Sequence, residues 1–167
     1  MYQLNVGPAL SSFITLMCAV PLDDPRGKHC RWGVPVYLEG APGLGKSVGV
    51  ETAAKALGLC VETIYPSTRM PEDFNEILFP DGKGGVSMTS ALTQVKSLHE
   101  LGRGVLFLDE ATLAVRAVQN AMMSVVWNRT CGGLTLPGGV RVILAANAAE
   151  SVGGEAFSTA LYNRMAT

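Results

Sequence analysis

At residues 40–47 the chain reads Gly40-Ala41-Pro42-Gly43-Leu44-Gly45-Lys46-Ser47. This stretch matches the phosphate-binding pattern G-x-x-x-x-G-K-[ST] at each required position. Its glycines allow the backbone to turn tightly, and they leave main-chain N–H groups open to a phosphate because they have no Cβ. Lys46 is expected to reach the β- and γ-phosphates of a nucleotide, and the hydroxyl of Ser47 is expected to bind Mg²⁺.

The residues on either side of this loop predict a strand before it and a helix after it. Val34–Leu38 is a short apolar run that is typical of a buried strand. From Val50 to Leu57, apolar residues recur at i, i+3, i+4 and i+7, which predicts one buried face of a helix that ends at Gly58. A phosphate-binding loop requires this order of strand, loop and helix, so a glycine turn that binds nothing is disfavoured.

Composition limits the classes of function. The chain has 167 residues, 48% of them hydrophobic and 16% charged, which predicts one globular domain. The net charge is −1 and no run of Lys or Arg occurs, so the sequence gives no strong nucleic-acid signal.

The apolar segment Phe13–Val20 is too short to span a bilayer and lacks the features of a signal peptide, so we expect a soluble, cytoplasmic protein without a membrane segment.

The cysteines predict neither a metal site nor a disulfide framework. They are widely spaced and include no C-x-x-C pair. The four positions are Cys18, Cys30, Cys60 and Cys131. We therefore expect reduced, buried thiols.

Apolar runs alternate with helical patterns along the rest of the chain. Further strands are predicted at Cys60–Ile64, Gly104–Glu110 and Arg141–Asn147. A helix is predicted from Arg116 to about Asn128, with Val115, Val118, Met122 and Val125 on its buried face. Alternating strands and helices predict an α/β fold with a mainly parallel sheet, whose ligands bind at the carboxyl ends of the strands.

Two further segments resemble β-hairpins. Ile77–Met88 has two short apolar runs around Asp-Gly and Gly-Gly, and Leu134–Val140 has Pro-Gly-Gly at its centre.

An acidic pair follows the most apolar of the predicted strands. Asp109 lies where P-loop NTPases carry the carboxylate that holds Mg²⁺, and Glu110 could polarise a water molecule for in-line attack on the γ-phosphate. Taken alone, the pair could equally cap the next helix, because carboxylates favour helix N-termini. The phosphate-binding loop in the same chain favours the catalytic interpretation.

The polar residues at two other positions are weaker candidates. Asn147 closes an otherwise apolar strand, where its amide could orient the attacking water or contact the γ-phosphate, although Asn is also common in turns. Arg164 could stabilise the charge that develops in the transition state. Arg69, Arg116 and Arg129 compete with it for that role.

Several segments resemble the motifs of AAA+ ATPases. Gly40–Ser47 resembles the Walker A motif, Val105–Thr112 the Walker B motif, and Ile143–Asn147 the sensor 1 segment. More narrowly, the chain resembles the MoxR-type branch of the helix-2-insert clade, because its two hairpin candidates fall where that clade carries its helix-2 insertion and its pre-sensor 1 hairpin. Phe157–Met165 resembles the segment that carries the arginine finger, and Arg164 is the matching position.

The resemblance implies a three-layer α/β P-loop NTPase core across residues 1–167, with ATP and Mg²⁺ as cofactors. The nucleotide-binding residues are then Gly40, Ala41, Pro42, Gly43, Leu44, Gly45, Lys46, Ser47 and Val48. The metal ligands are Ser47 and Asp109, and the catalytic residues are Lys46, Glu110, Asn147 and Arg164.

In the family, a further strand and a helical lid follow the arginine finger, whereas this chain ends at Thr167. We therefore expect an AAA+ core truncated after that segment, with the lid absent. The leading hypothesis is an ATPase module that remodels or matures partner proteins and works in a ring, commonly a hexamer, with Arg164 acting on a neighbour's nucleotide. Partners of the von Willebrand factor A type are common in the clade.

Two other functions compete with this hypothesis. The first is an ATP-gated assembly or regulatory module with little hydrolysis. The second is a small P-loop kinase, which the Asp109–Glu110 pair and the strand that ends at Asn147 disfavour.

Overall fold

In the part of the chain that the structure describes, the central element is a sheet of four parallel strands in the spatial order β1, β8, β5, β2. The structure is a computed structural model that describes residues 35–82 and 84–147. Its strands are β1 (Val36–Glu39), β2 (Val61–Ile64), β3 (Glu76–Pro80), β4 (Val86–Ser90), β5 (Arg103–Leu108), β6 (Thr130–Cys131), β7 (Leu134–Thr135) and β8 (Gly139–Ala146). Its α-helices are α1 (Lys46–Ala56), α2 (Thr93–Leu101) and α3 (Arg116–Met123). The predicted parallel α/β sheet is confirmed.

Apolar side chains cover both faces of this sheet and produce three layers. One cluster joins α1 to alternate residues of the strands, with Val50, Ala53 and Ala54 against Val105, Phe107 and Ile143. The larger cluster lies on the opposite face and packs α2 and α3 against Leu106, Leu108 and Leu144. Because successive side chains of a strand point to opposite faces, a strand buried on both sides is apolar throughout. That burial accounts for the nearly continuous apolar runs of β5 and β8.

The first predicted hairpin is present, and the second has its turn at a different place. Strands β3 and β4 pair antiparallel, with Leu78 opposite Met88. The second hairpin is formed by β6 and β7 around Gly132 and Gly133, so the prediction of a hairpin over Leu134–Val140 was wrong. Both turn glycines have positive φ, 57° and 75°, as a tight two-residue turn requires.

The predicted helix from Arg116 to about Asn128 is present but changes its winding. It is α-helical through Met123 and continues as a π-helical turn over Ser124–Asn128. The expectation that Val115 lies on the buried face was wrong, because this residue precedes the first turn in an extended conformation and is 67% exposed.

The described cysteines are both free thiols, but only one is buried. Cys131 is buried, and this burial raises the pKa of its thiol, while its hydrogen-bond contact with Ser90 acts in the opposite direction. Cys60 is exposed, so the expectation of a buried thiol was wrong there. Its position explains the difference, since it precedes β2, an outer strand of the described sheet. Cys18 and Cys30 lie outside the described residues.

Candidate nucleotide-binding site

The glycine loop connects the end of β1 to the first residue of α1. Gly43 and Gly45 have φ values of 81° and 77°, a region that disfavours residues with a Cβ. Gly45 caps α1, and its carbonyl accepts the first helical hydrogen bond, from the N–H of Gly49 at 2.8 Å. The N–H groups of the first helical turn have no acceptor within the helix, so they and the helix dipole favour an anion at this position.

Lys46 is held by three oxygen atoms at the mouth of the loop. Its Nζ donates to the carbonyl oxygens of Gly40 at 2.8 Å and Ala41 at 3.1 Å, and to Oδ1 of Asn147 at 2.9 Å. Burial lowers the pKa of Lys46 below its ordinary value, while the nearby carboxylates of Asp109 and Glu110 act to raise it. The ammonium group is thus partly withdrawn from water and directed towards the loop.

Ser47 and Asp109 place two oxygen atoms side by side. The Ser47 hydroxyl donates to Oδ2 of Asp109 at 2.7 Å. Asp109 is 8% exposed, and its Oδ1 accepts the N–H of Glu110 at 2.9 Å. Hydroxyl and carboxylate oxygens are the donors that Mg²⁺ prefers, so this pair fits the ion. Residues 35–82 and 84–147 contain no group of three or more His, Cys, Asp or Glu that could hold a metal.

Glu110 adopts an uncommon backbone conformation beside this pair. Its φ and ψ are 55° and 36°, in the left-handed region, and it caps the 3₁₀ turn Ala111–Leu113. Its side chain is exposed and lines the same cavity as Lys46. Strand β5 ends at Leu108, so the turn from Asp109 to Glu110 brings the second carboxylate to the cavity.

The sheet order explains why these residues meet. β8 lies between β1 and β5, so Asn147 at the end of β8 is flanked by the glycine loop and the acidic pair. A cavity of about 280 Å³ results, and it is lined by Pro42, Gly43, Gly45, Lys46, Ser47, Val48, Asp109, Glu110 and Asn147. A larger cleft of about 460 Å³ lies between the two hairpins, but Glu76 is the charged residue that lines it. Among the described residues, this cleft is lined by a carboxylate and no cation, which does not suit a nucleotide phosphate.

Not all of the predicted residues are placed in this cavity. Gly40 and Ala41 contribute the carbonyl groups that bind Lys46, while the side chain of Leu44 is 62% exposed. Arg164 lies outside the described residues. Arg129 was another candidate for the arginine that stabilises the transition state. Its guanidinium instead donates to the carbonyls of Pro137 and Val140, at 2.8 and 2.6 Å, and so stabilises the fold.

One buried polar residue belongs to no motif in the sequence. Gln119 lies on α3, is 1% exposed, and donates from Nε2 to the carbonyl oxygen of Ala114 at 3.0 Å. A glutamine in an otherwise apolar helical pattern is the signal that could have drawn attention to it, since glutamine is seldom fully buried.

The parallel sheet and the loop-bound lysine define a P-loop nucleotide-binding core. More narrowly, residues 35–165 match the AAA domain model of the dynein-related subfamily, and the chain belongs to this family. The fold is also similar to the crystal structure of a proposed ATPase from Cytophaga hutchinsonii ATCC 33406. The TM-score is 0.58 at 21% identity, over 94% of this chain and 43% of that one. The chain thus spans less than half the length of that protein.

A comparison with curated proteins gave no significant match. No helix in the described part of the chain is long and apolar enough to cross a membrane.

Proposed function

We propose that this chain binds Mg-ATP and hydrolyses it to ADP and phosphate as an AAA-family ATPase module. The observation that carries the proposal is the meeting of five polar side chains in one cavity. They are Lys46, Ser47, Asp109, Glu110 and Asn147. A loop that only bound a phosphate would need the lysine and the backbone donors, but it would not need two carboxylates and an amide from neighbouring strands.

Lys46 and Asn147 have linked roles in this proposal. An ammonium group has three N–H donors, and those of Lys46 are directed at two loop carbonyls and Asn147. A γ-phosphate oxygen would therefore replace at least one of these acceptors. Where the replaced acceptor is Asn147, its amide becomes free to orient the attacking water molecule or to contact the phosphate.

Ser47 and the two carboxylates have separate roles in this proposal. Ser47 and Asp109 would hold Mg²⁺, which neutralises charge on the β- and γ-phosphates when bound. Glu110, exposed to the cavity, accepts a proton from the water molecule that attacks the γ-phosphorus. That assignment follows from its position beside the metal ligand and from the accessibility of its side chain.

We further propose a MoxR-like module that remodels or matures partner proteins in the cytoplasm. The β3–β4 hairpin supports a protein-binding role because it exposes apolar side chains, among them Leu78 at 63% and Met88 at 56%. The proposed assembly is a hexameric ring in which Arg164 acts on the nucleotide of a neighbour. A von Willebrand factor A-type protein is the proposed class of partner.

Phosphate release and assembly can be measured on the same sample. The chain is incubated with Mg-ATP, free phosphate is measured with malachite green, and the oligomeric state is followed by size-exclusion chromatography with and without ATP. We expect phosphate release that increases as the chain assembles. ATP-dependent assembly without phosphate release would replace the proposal with a gated assembly module, and transfer to an acceptor would indicate a kinase.

The trans role of Arg164 has its own test. Lys46→Ala and Arg164→Ala variants are mixed, so that some interfaces combine an intact loop with an intact arginine. Recovery of hydrolysis is expected if the arginine acts across the interface. Assembled mixtures with no recovery would contradict that role and leave the assignment of the loop unaffected.

A further inference from the structure

Gln119 is a fully buried polar residue on α3, the helix that packs in the larger apolar cluster. It is 1% exposed, and its Nε2 donates to the carbonyl oxygen of Ala114 at 3.0 Å. Its Oε1 has no hydrogen-bond partner among the described residues. A buried acceptor without a partner destabilises a fold, because its hydrogen bonds to water are lost and not replaced. An apolar side chain would avoid that cost. We therefore look for the role of the amide in its hydrogen bond to Ala114.

The bond fixes a short linker between α3 and the acidic pair. Ala114 and Val115 are both extended, with ψ values of 143° and 152°. The carbonyl of Val115 accepts the main-chain N–H of Val118 at 2.9 Å and that of Gln119 at 3.1 Å. Gln119 therefore binds both linker carbonyls, one through its side chain and one through its backbone.

This linker follows directly on the turn that carries Glu110. Glu110 has φ of 55°, a conformation that is unfavourable for a non-glycine residue, so its surroundings must hold it in place. The start of the turn is fixed by a hydrogen bond from the N–H of Glu110 to the carboxylate of Asp109. Within the turn, the N–H of Leu113 donates to the carbonyl of Glu110 at 3.0 Å. The far end of the turn is fixed by the bond between Gln119 and Ala114.

We propose that Gln119 is a positioning residue for Glu110. It connects the turn to α3, which is anchored in the core by the fully buried side chain of Met122. Loss of its amide would release the end of the turn and let the Glu110 carboxylate move away from the attacking water. The effect on hydrolysis rests on the proposed function, whereas the effect on the turn does not.

The test compares Gln119→Met with Val118→Ala in the full chain. Methionine is unbranched and similar in size, so it removes both the donor and the partnerless oxygen with little change in packing. Val118→Ala is the matched control, since it removes buried methyl groups from the same helix and leaves the bond to Ala114. Gln119→Asn keeps the amide but is one methylene shorter, so it serves as a second variant if the methionine variant does not fold.

Two readouts separate positioning from general stability. Hydrogen exchange in residues 110–115 should accelerate about tenfold in both Gln119 variants and remain as in the wild type in Val118→Ala. For ATP hydrolysis, kcat should fall about tenfold in the Gln119 variants while KM stays within twofold. Wild-type exchange in residues 110–115 of Gln119→Met would overturn the proposal. A wild-type chain that hydrolyses no ATP would overturn the proposed function, and the exchange measurement would still decide the role of Gln119.

Discussion

The side-chain nitrogen of Lys46 lies 2.9 Å from Oδ1 of Asn147, a residue 101 positions further along the chain. This hydrogen bond joins the first residue of α1 to the end of β8. Since the lysine is the cation of the candidate site and the amide belongs to the strand beside the acidic pair, the state of one affects the other. A phosphate that draws Lys46 away from Asn147 would break this hydrogen bond at the end of β8.

The first prediction concerns the positive charge of the loop. Lys46→Met keeps the length of the side chain but removes the ammonium group, so ATP affinity should fall at least tenfold, as expected for the loss of one charge-assisted hydrogen bond. Titration with a fluorescent ATP analogue measures the change. Lys55→Met is the matched control, because Lys55 is exposed in the last turn of the same helix and lies away from the cavity. Equal affinities for the two variants would contradict the assignment of Lys46.

The second prediction separates binding from hydrolysis. Glu110→Gln keeps the shape of the side chain but removes its capacity to accept a proton, so kcat should fall about 10²–10⁴-fold. The Kd for ATP should stay within about threefold, because Glu110 is not assigned to bind the phosphates. Glu100→Gln, at an exposed position on α2, is the control and should hydrolyse ATP like the wild type. Undiminished turnover in Glu110→Gln would exclude Glu110 as the base.

A third prediction concerns Mg²⁺. The Ser47 hydroxyl and the Asp109 carboxylate are 2.7 Å apart, so the removal of either should weaken the magnesium contribution to binding. We expect wild-type protein to bind ATP more tightly with Mg²⁺ than with EDTA, and Ser47→Ala and Asp109→Asn to lose most of that difference. Comparing each protein with and without Mg²⁺ corrects for general damage to the fold. A variant that retains the full difference would show that its residue is not a ligand.

The fourth prediction is a pH dependence of ATP binding. Burial lowers the pKa of Lys46 below its ordinary value of 10.5. Between the folded and the unfolded pKa, the unfolded chain binds more protons, so this group makes the fold more stable as pH rises through that window. Phosphate binding favours the protonated amine, so ATP affinity should decline with pH before 10.5 is reached.

Calorimetry in buffers of different ionisation enthalpy measures this effect directly, because ATP binding should take up protons within that window. Lys46→Arg is the control, since arginine stays charged throughout. Its binding should show no proton uptake from this position. Equal proton uptake by the wild type and this variant would assign the titration to another group.

The parts of the fold that depend on local pattern could be predicted from the sequence. The glycine loop, the buried strands and the helix after the loop each have a signature in composition or periodicity. The convergence of the candidate site was predictable for the same reason, because Lys46, Asp109 and Asn147 each follow or begin an element whose end is marked by the pattern. The roles of these residues stay predictions. Parallel strands align their carboxyl ends, so these residues were expected at one edge of the sheet.

The remaining features depend on contacts between distant residues. The contact of Gln119 with Ala114 depends on the geometry of a linker, which leaves no periodic signal. The second hairpin was misplaced because Pro137-Gly138-Gly139 and Gly132-Gly133 both look like turns. The structure selects the earlier pair, since Gly132 N–H donates to the Phe74 carbonyl at 3.1 Å and joins that turn to the segment before β3.

The last prediction tests this turn with two adjacent substitutions. Gly132 and Gly133 both have positive φ, so alanine at either position should cost about 1–2 kcal/mol of backbone strain. A Cβ at Gly132 would also overlap the backbone of Ser90, whereas one at Gly133 would make ordinary contacts with Glu76 and Met88 at 3.4 Å. Overpacking against backbone adds about 1–3 kcal/mol, so Gly132→Ala should lower the free energy of unfolding clearly more than Gly133→Ala does. Urea denaturation measures both, and equal losses would show that the turn does not pack beneath the base of the first hairpin.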